Sequence, residues 1–181
     1  MLTLADMLHN LESDVLCFSC SLLALQVMIS TTFLYTDDVY NRLEKETVMA
    51  YFLAKTDPEH YSIDDLERDK KTVWDGVRNA AALLAIRAMR PGDEVLIYHS
   101  QGVAAIVGLA RVISDPRPDP SDPKSWVVDV EFVRRLSEPV TLREIKESHL
   151  FDDWALVRQG RLSTMSVPEK VVVWLKEKKV L

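Results

Sequence analysis

Only 5 of the 181 residues are glycine, and none stands in a phosphate-cradling pattern: G-x-x-x-x-G-K-[ST], G-x-G-x-x-G and G-x-S-x-G are all absent. The sequence therefore lacks the loops that hold nucleoside triphosphates or dinucleotides, and the elbow that carries a hydrolase serine. Cysteine is scarcer still. Cys17 and Cys20 form a lone C-x-x-C with no second Cys pair and no nearby His pair. A zinc site needs about four ligands, and a redox pair needs a βαβ setting that is missing here. We read the two as incidental thiols in an apolar run. H-E-x-x-H and EF-hand spacings are also absent, so no metal and no cofactor is expected.

An excess of basic residues is lacking too. The net charge is −6, which argues against a long surface that grips bare phosphate. The charge is unevenly placed, however. Residues 1–48 hold seven of the 28 acids and two of the 22 bases, which leaves 21 against 20 and a net charge of −1 from Met49 onward. A local basic face remains open to that part. With 48 % hydrophobic and 28 % charged residues the chain reads as globular rather than disordered.

Val15 to Tyr35 is the one long stretch without charge, 21 residues rich in Leu, Val, Ile, Phe and Met. A spanning helix needs roughly 20, but the flanks Asp14, Asp37 and Asp38 are acidic and no basic cluster sets an orientation. A membrane span is disfavoured, and so is a secretory signal. The first-ranked reading places a natural start at Met49-Ala50, directly before the first strand-like run. Residues 1–48 are then an N-terminal apolar extension, and residues 49–181 are the domain.

From Met49 the pattern is regular. Tyr51 to Lys55 reads as a strand that Thr56-Asp57-Pro58 ends. Ser62-Ile63-Asp64-Asp65 reads as a capped short helix. Asn79 opens a helix to about Met89, and Pro91-Gly92-Asp93 breaks it. Glu94 to Tyr98 and Ala104 to Ile113 are strands, the second interrupted at Gly108 by a bulge or a close approach. Asp115 to Ser125 is a Pro/Asp loop. Trp126 to Leu136 alternates as a strand, Thr141 caps a short helix, and Ser166-Val167-Pro168-Glu169 is the signature of a final helix start. Strands and helices do not alternate, so a doubly wound sheet is excluded in favour of an α+β fold: a small curved sheet or barrel with flanking helices.

Thr72 to Asn79 is the richest stretch in chemistry. Trp74 offers a stacking face. Asp75, Arg78 and Asn79 offer acceptor, forked donor and two-way amide, and Gly76 offers backbone freedom. The mixture suits a small planar polar object such as a nucleobase. The plainer reading is a helix start, in which Asn79 caps, Trp74 packs and Arg78 pairs with Asp75. His99-Ser100 invites a nucleophile–base reading with Asp75 as third member, a small hydrolase. Neighbouring residues on a strand point to opposite faces, so a hydrogen-bonding His at a pocket rim is preferred. Trp74–Asn79, Tyr98–Ser100 and Arg161–Met165 share one aromatic-polar character and would form one pocket if they converge.

Taken together, Lys55-Thr56-Asp57-Pro58, Tyr61 to Leu66, Thr72 to Asn79, Pro91-Gly92-Asp93, Tyr98-His99-Ser100, Ile106-Val107-Gly108 and Val157 to Ser163 resemble the EVE domain family from about Met49 to the C-terminus. The resemblance implies a PUA-like fold, a curved β-barrel with helices. It implies a non-catalytic module that binds DNA or RNA carrying a modified base, and we expect that module to be cytoplasmic. By that resemblance the ligand-binding residues are Lys55, Pro58, Trp74, Asp75, Val77, Arg78, Asn79, Tyr98, His99, Ser100, Arg161, Leu162 and Ser163. Trp74 or Tyr98 would stack on the base, Asn79, Ser100 and Ser163 would read its edge, and Arg78 and Arg161 would hold phosphate or an exocyclic oxygen. Three positions depart from the family pattern: Tyr51-Phe52 where a Trp is common, Thr56-Asp57-Pro58 for Ser-Glu-Pro, and Ala80-Ala81 for Tyr-Gln. Oligomeric state is not legible.

Overall fold

The computed structural model describes residues 49–181. The expectations for residues 1–48, including the apolar stretch 15–35 and the Cys17/Cys20 pair, lie outside the described residues. Among the described residues no helix is long and apolar enough to cross a membrane.

Among the described residues, seven strands and five helices follow in chain order. They are β1 (Tyr51–Thr56), α1 (Ile63–Asp69), β2 (Lys71–Trp74), α2 (Ala80–Ala88), β3 (Glu94–His99), β4 (Ala105–Val112), β5 (Arg117–Pro118), β6 (Trp126–Thr141), α3 (Leu142–Glu147), α4 (Ala155–Arg158), β7 (Thr164–Ser166) and α5 (Glu169–Glu177). The sheet order is β2-β6-β4-β3-β1-β7, with β5 pairing β6 outside that path. β1 and β3 run parallel, and every other pair is antiparallel. Parallel neighbours need a long crossover, which α1, β2 and α2 provide between them.

Burial explains which strands are central. Phe52, Leu53 and Ala54 of β1 and Val95 to Tyr98 of β3 are buried without alternation, as strands covered on both faces require. The sheet curls because its long strand bends. β6 runs for 16 residues, and its register against β4 shifts between Ile106 and Gly108 and again between Leu109 and Ala110; such irregularities sharpen local twist. The expected close approach at Gly108 is present. A Cβ there would collide with Ile63 Cδ1 and stand 3.2 Å from the Arg134 carbonyl oxygen, so glycine lets α1 lie close on the sheet without displacing Ile63.

Local signals account for most ends. Ser62 and Asp65 form a full capping box on α1, which holds the Asp65 carboxyl at about 2, chiefly through the Ser62 backbone N–H. Thr141 caps α3 through Glu144 N–H at 3.1 Å. Asp93 is buried, and its carboxylate accepts the backbone N–H groups of Ala50 at 3.0 Å and Arg90 at 2.8 Å, so the Pro91-Gly92-Asp93 turn also anchors the start of β1.

Four expectations are corrected. Lys71–Trp74 is a strand paired to Glu131–Val128 rather than part of a helix start, because Val73 and Trp74 find a partner in distant β6. β6 continues past Leu136 to Thr141, since Val140 and Thr141 still pair with β4. The Pro/Asp loop contains the two-residue strand β5. Ser166 does not cap the last helix. It ends β7 opposite Phe52 and its carbonyl accepts Trp154 Nε1–H at 3.1 Å, leaving Pro168 at the helix N-cap.

Candidate functional site

β2 and β7 are the two edges of the curled sheet. α2 packs against both β7 and β6. A cavity of about 660 Å³ opens in the seam between the edges. One wall is the end of β1 and the loop after it: Lys55, Thr56, Asp57, His60 and Tyr61. The other is β2 and the turn beyond it, Thr72 to Val77. Ser163, immediately before β7, closes the seam.

The first wall is held by its own hydrogen bonds. Asp57 carbonyl accepts from His60 N–H at 3.0 Å and Tyr61 N–H at 2.9 Å, and Thr56 Oγ1 donates to Tyr61 carbonyl at 2.6 Å. Lys55 N–H donates to Ser163 carbonyl at 2.7 Å, which fixes the seam residue against β1. On the second wall Gly76 takes φ +70, a left-handed backbone that reverses the chain between β2 and α2. Val77 is buried there, and its carbonyl accepts the Ser125 hydroxyl at 2.8 Å.

Lys55 is the cation of the cavity. Its Nζ lies 5.7 Å from the centre of the Tyr98 ring and donates to the Gly160 carbonyl at 3.3 Å. Burial holds its ammonium below the usual lysine range. Burial likewise raises the phenols of Tyr61 and Tyr98, so both remain neutral donors. Asp57 and Asp75 supply acceptors, Ser163 and Thr72 supply hydroxyls, and Trp74 and Tyr61 supply aromatic surface. The set can hold a flat ligand that presents both donors and acceptors. Volumes of about 300–1,000 Å³ are usual for small-ligand sites.

Of the residues expected at the site, Lys55, Trp74, Asp75, Val77 and Ser163 line this cavity. The others stand elsewhere. Pro58 lies within the turn that Asp57 closes, outside the lining. Tyr98 is buried beneath Lys55 and presents no open face. Leu162 is buried in the core, and Arg161 beside it is exposed. Arg78 is exposed and pairs with Asp122 at 3.7 Å rather than with Asp75. Asn79 is the helix cap of the plainer reading: its Oδ1 accepts from Ala81 N–H at 2.9 Å and Ala82 N–H at 3.3 Å. Thr56, Asp57, His60, Tyr61, Thr72, Val73 and Gly76 line the cavity without having been singled out as ligands. Their motifs were visible in the sequence, but nothing local showed that β2 would face β1.

His99 and Ser100 are not arranged as a nucleophile and base. His99 Nε2 accepts the Ile63 backbone N–H at 3.1 Å, and the Ser100 hydroxyl donates to Thr56 carbonyl at 3.1 Å. Asp75 lies on the cavity wall and bonds to neither among the described residues. Burial first, then the Arg135 charge, lowers the His99 pKa against the opposing pull of Asp64, so the imidazole is a neutral acceptor for α1.

Comparison with known proteins places this arrangement. Residues 50–177 match the model of the EVE domain. Thymocyte nuclear protein 1 from Rattus norvegicus is 37 % identical over 127 residues, covering 55 % of this chain and 56 % of that protein. The Homo sapiens protein of the same name is 33 % identical over 132 residues, covering 58 % and 59 %. This chain thus spans little more than half the length of these relatives. Among solved structures, a protein from Agrobacterium tumefaciens superposes with TM-score 0.68 at 30 % identity, covering 73 % of this chain and 94 % of that one. Human THYN1 protein in complex with 5-methylcytosine-containing DNA superposes with TM-score 0.66 at 26 % identity, covering 72 % and 97 %. The matched residues, the curled mixed sheet and the flanking helices agree: the chain belongs to the EVE domain family and has its PUA-like fold.

Proposed function

We propose that this chain is a non-catalytic nucleic-acid-binding module that takes a modified base, on DNA or RNA, into the cavity between β2 and the end of β1. The observation that carries the reading is the cavity itself. It joins Trp74, Tyr61 and a partly desolvated Lys55 to polar groups of both kinds, in a family whose human member is seen with 5-methylcytosine-containing DNA. That complex makes DNA the first ligand to test.

Extruding a base from a duplex costs a few kcal/mol. Stacking on an aromatic residue returns about 1–3 kcal/mol per base, so the remaining selectivity comes from groups that meet the base edge. Asp57 and Asp75 accept from an exocyclic amine, Ser163 donates or accepts, and Lys55 donates to a ring carbonyl. Because Lys55 is already partly desolvated, less of its hydration remains to be removed when the base arrives. The reading calls for no metal, cofactor or membrane.

The test is binding of the full chain to short single- and double-stranded oligonucleotides, with and without 5-methylcytosine and other base modifications, at one low salt concentration. Asp75→Asn and Ser163→Ala serve as cavity variants. A modification-dependent gain that both variants reduce is expected. Equal affinity for modified and unmodified strands would remove the reading.

A further inference from the structure

A second hollow, of about 270 Å³, lies beyond the segment that leaves the base cavity. Ala80, Leu83, Leu84 and Arg87 of α2 line it with Lys124 and Trp126, at the beginning of β6. The four helical residues recur at three- and four-residue spacing and so share one face. That face is only partly packed: α2 buries Ala82 and Ile86 and rests Leu83 against the core, while Leu84 stays 66 % exposed. The Arg87 guanidinium lies 4.7 Å from the centre of the Trp126 ring, which holds two flat groups together at the surface. Two cations and an indole line the hollow with no carboxylate, although acids outnumber bases by 21 to 20 from Met49 onward. Cations gathered without acids attract phosphate, and guanidinium and indole planes are surfaces on which bases stack.

The hollow is continuous with the base cavity along the chain. Val77 lines the first and Ala80 the second. Only Arg78 and Asn79 intervene, three Cα steps that span at most about 11 Å. The Ser125 hydroxyl bond to Val77 carbonyl ties the shared wall to the residue before Trp126.

We propose that this hollow holds the nucleotide next to the one whose base enters the cavity, with its base against Arg87 and Trp126 and its phosphate near Lys124. The proposal rests on the base-binding reading above. Its physical logic is compensation: a base drawn out of a strand leaves its neighbour without a stacking partner, and the Arg87–Trp126 surface supplies a replacement.

The experiment measures affinity of the full chain for two probes, 5-methyl-2′-deoxycytidine 5′-monophosphate and a trinucleotide with a central 5-methylcytosine. Wild type, Arg87→Ala and Lys124→Ala are compared. Both side chains are exposed, so neither substitution removes a core contact. In the wild type the flanking nucleotides raise affinity roughly five- to a hundredfold. Arg87→Ala removes most of that gain and leaves the monophosphate affinity unchanged. Lys124→Ala reduces the slope of log affinity against log salt for the trinucleotide by roughly 0.7. The Trp126 indole NMR resonance shifts with the trinucleotide and stays in place with the monophosphate. If the monophosphate binds but Arg87→Ala matches wild type on the trinucleotide and the Trp126 resonance does not move, this proposal is overturned and the base cavity stands. If neither probe binds, both are overturned.

Discussion

The imidazole Nε2 of His99, at the end of β3, accepts the backbone N–H of Ile63 at 3.1 Å. A strand thereby satisfies one of the unpaired N–H groups in the first turn of α1, a helix that also carries the tight contact with Gly108. Protonated imidazole has no acceptor to offer. Burial first, and then the Arg135 charge, lowers the His99 pKa below its ordinary 6.5 against the pull of Asp64, so the native state binds a proton there less readily than the unfolded chain does.

Stability follows from that shift. A depressed native pKa contributes stability fully above the unfolded value, and loses it as pH falls from there through the native value. Urea midpoints of the wild type should drop between about pH 7.5 and pH 5, in the range where histidine titrates. His99→Gln keeps a neutral acceptor and should flatten that part of the profile. Parallel profiles for the two proteins would show that the His99 contact does not control it.

Gly108→Ala tests the closeness of α1 to the sheet. Its Cβ meets Ile63 Cδ1 and comes within 3.2 Å of Arg134 carbonyl, and overpacking of this kind costs about 1–3 kcal/mol. Ile63→Val removes the first of these obstacles. The double variant should recover part of the loss, so that a denaturation cycle gives a favourable coupling; simple additivity would contradict the contact.

Lys55→Met separates function from stability. The ammonium is partly desolvated and makes one long hydrogen bond, to Gly160. Its removal should leave the melting temperature unchanged or raised, because a charge held away from water is lost. The same variant should weaken oligonucleotide binding and reduce the salt slope for a single strand by roughly 0.7. A fall in stability with no change in binding would assign Lys55 to the fold alone.

Two serines with similar sequence signatures should behave differently. Ser62→Ala breaks a capping box and should cost about 1 kcal/mol. Ser166→Ala removes no cap and should fall within about 0.5 kcal/mol of wild type. Chemical denaturation of the two variants decides it, and equal losses would count against the observed start of α5.

Trp74→Ala should lose both base selectivity and about 3 kcal/mol or more of stability, because the residue is only 9 % exposed and is part of the core as well as the cavity wall. Trp74→Phe should recover much of the stability and only part of the selectivity. Oligonucleotide binding beside a urea titration separates the two effects.

Features that depend on near neighbours are legible from residue order alone. The cap at Ser62, the cap at Asn79, the turn at Pro91-Gly92-Asp93 and the close approach at Gly108 all follow from residue type and spacing, and all are present. So do the α+β class and, through seven short motifs in order, the EVE resemblance. Pairing between distant segments was decided only in the tertiary structure. Thr72 to Trp74 read as the approach to a helix until β6 comes alongside. Ser166 looks like a cap until β1 takes its strand. The cavity exists because β2 and β7, 90 residues apart from Trp74 to Thr164 in numbering, end as the two edges of one curled sheet. Tyr98 and Asn79 carry the chemistry of a base site, but burial under Lys55 and the free N–H groups of α2 claim them first. Residue type shows what a side chain can bind; long-range strand pairing decides which surface it faces.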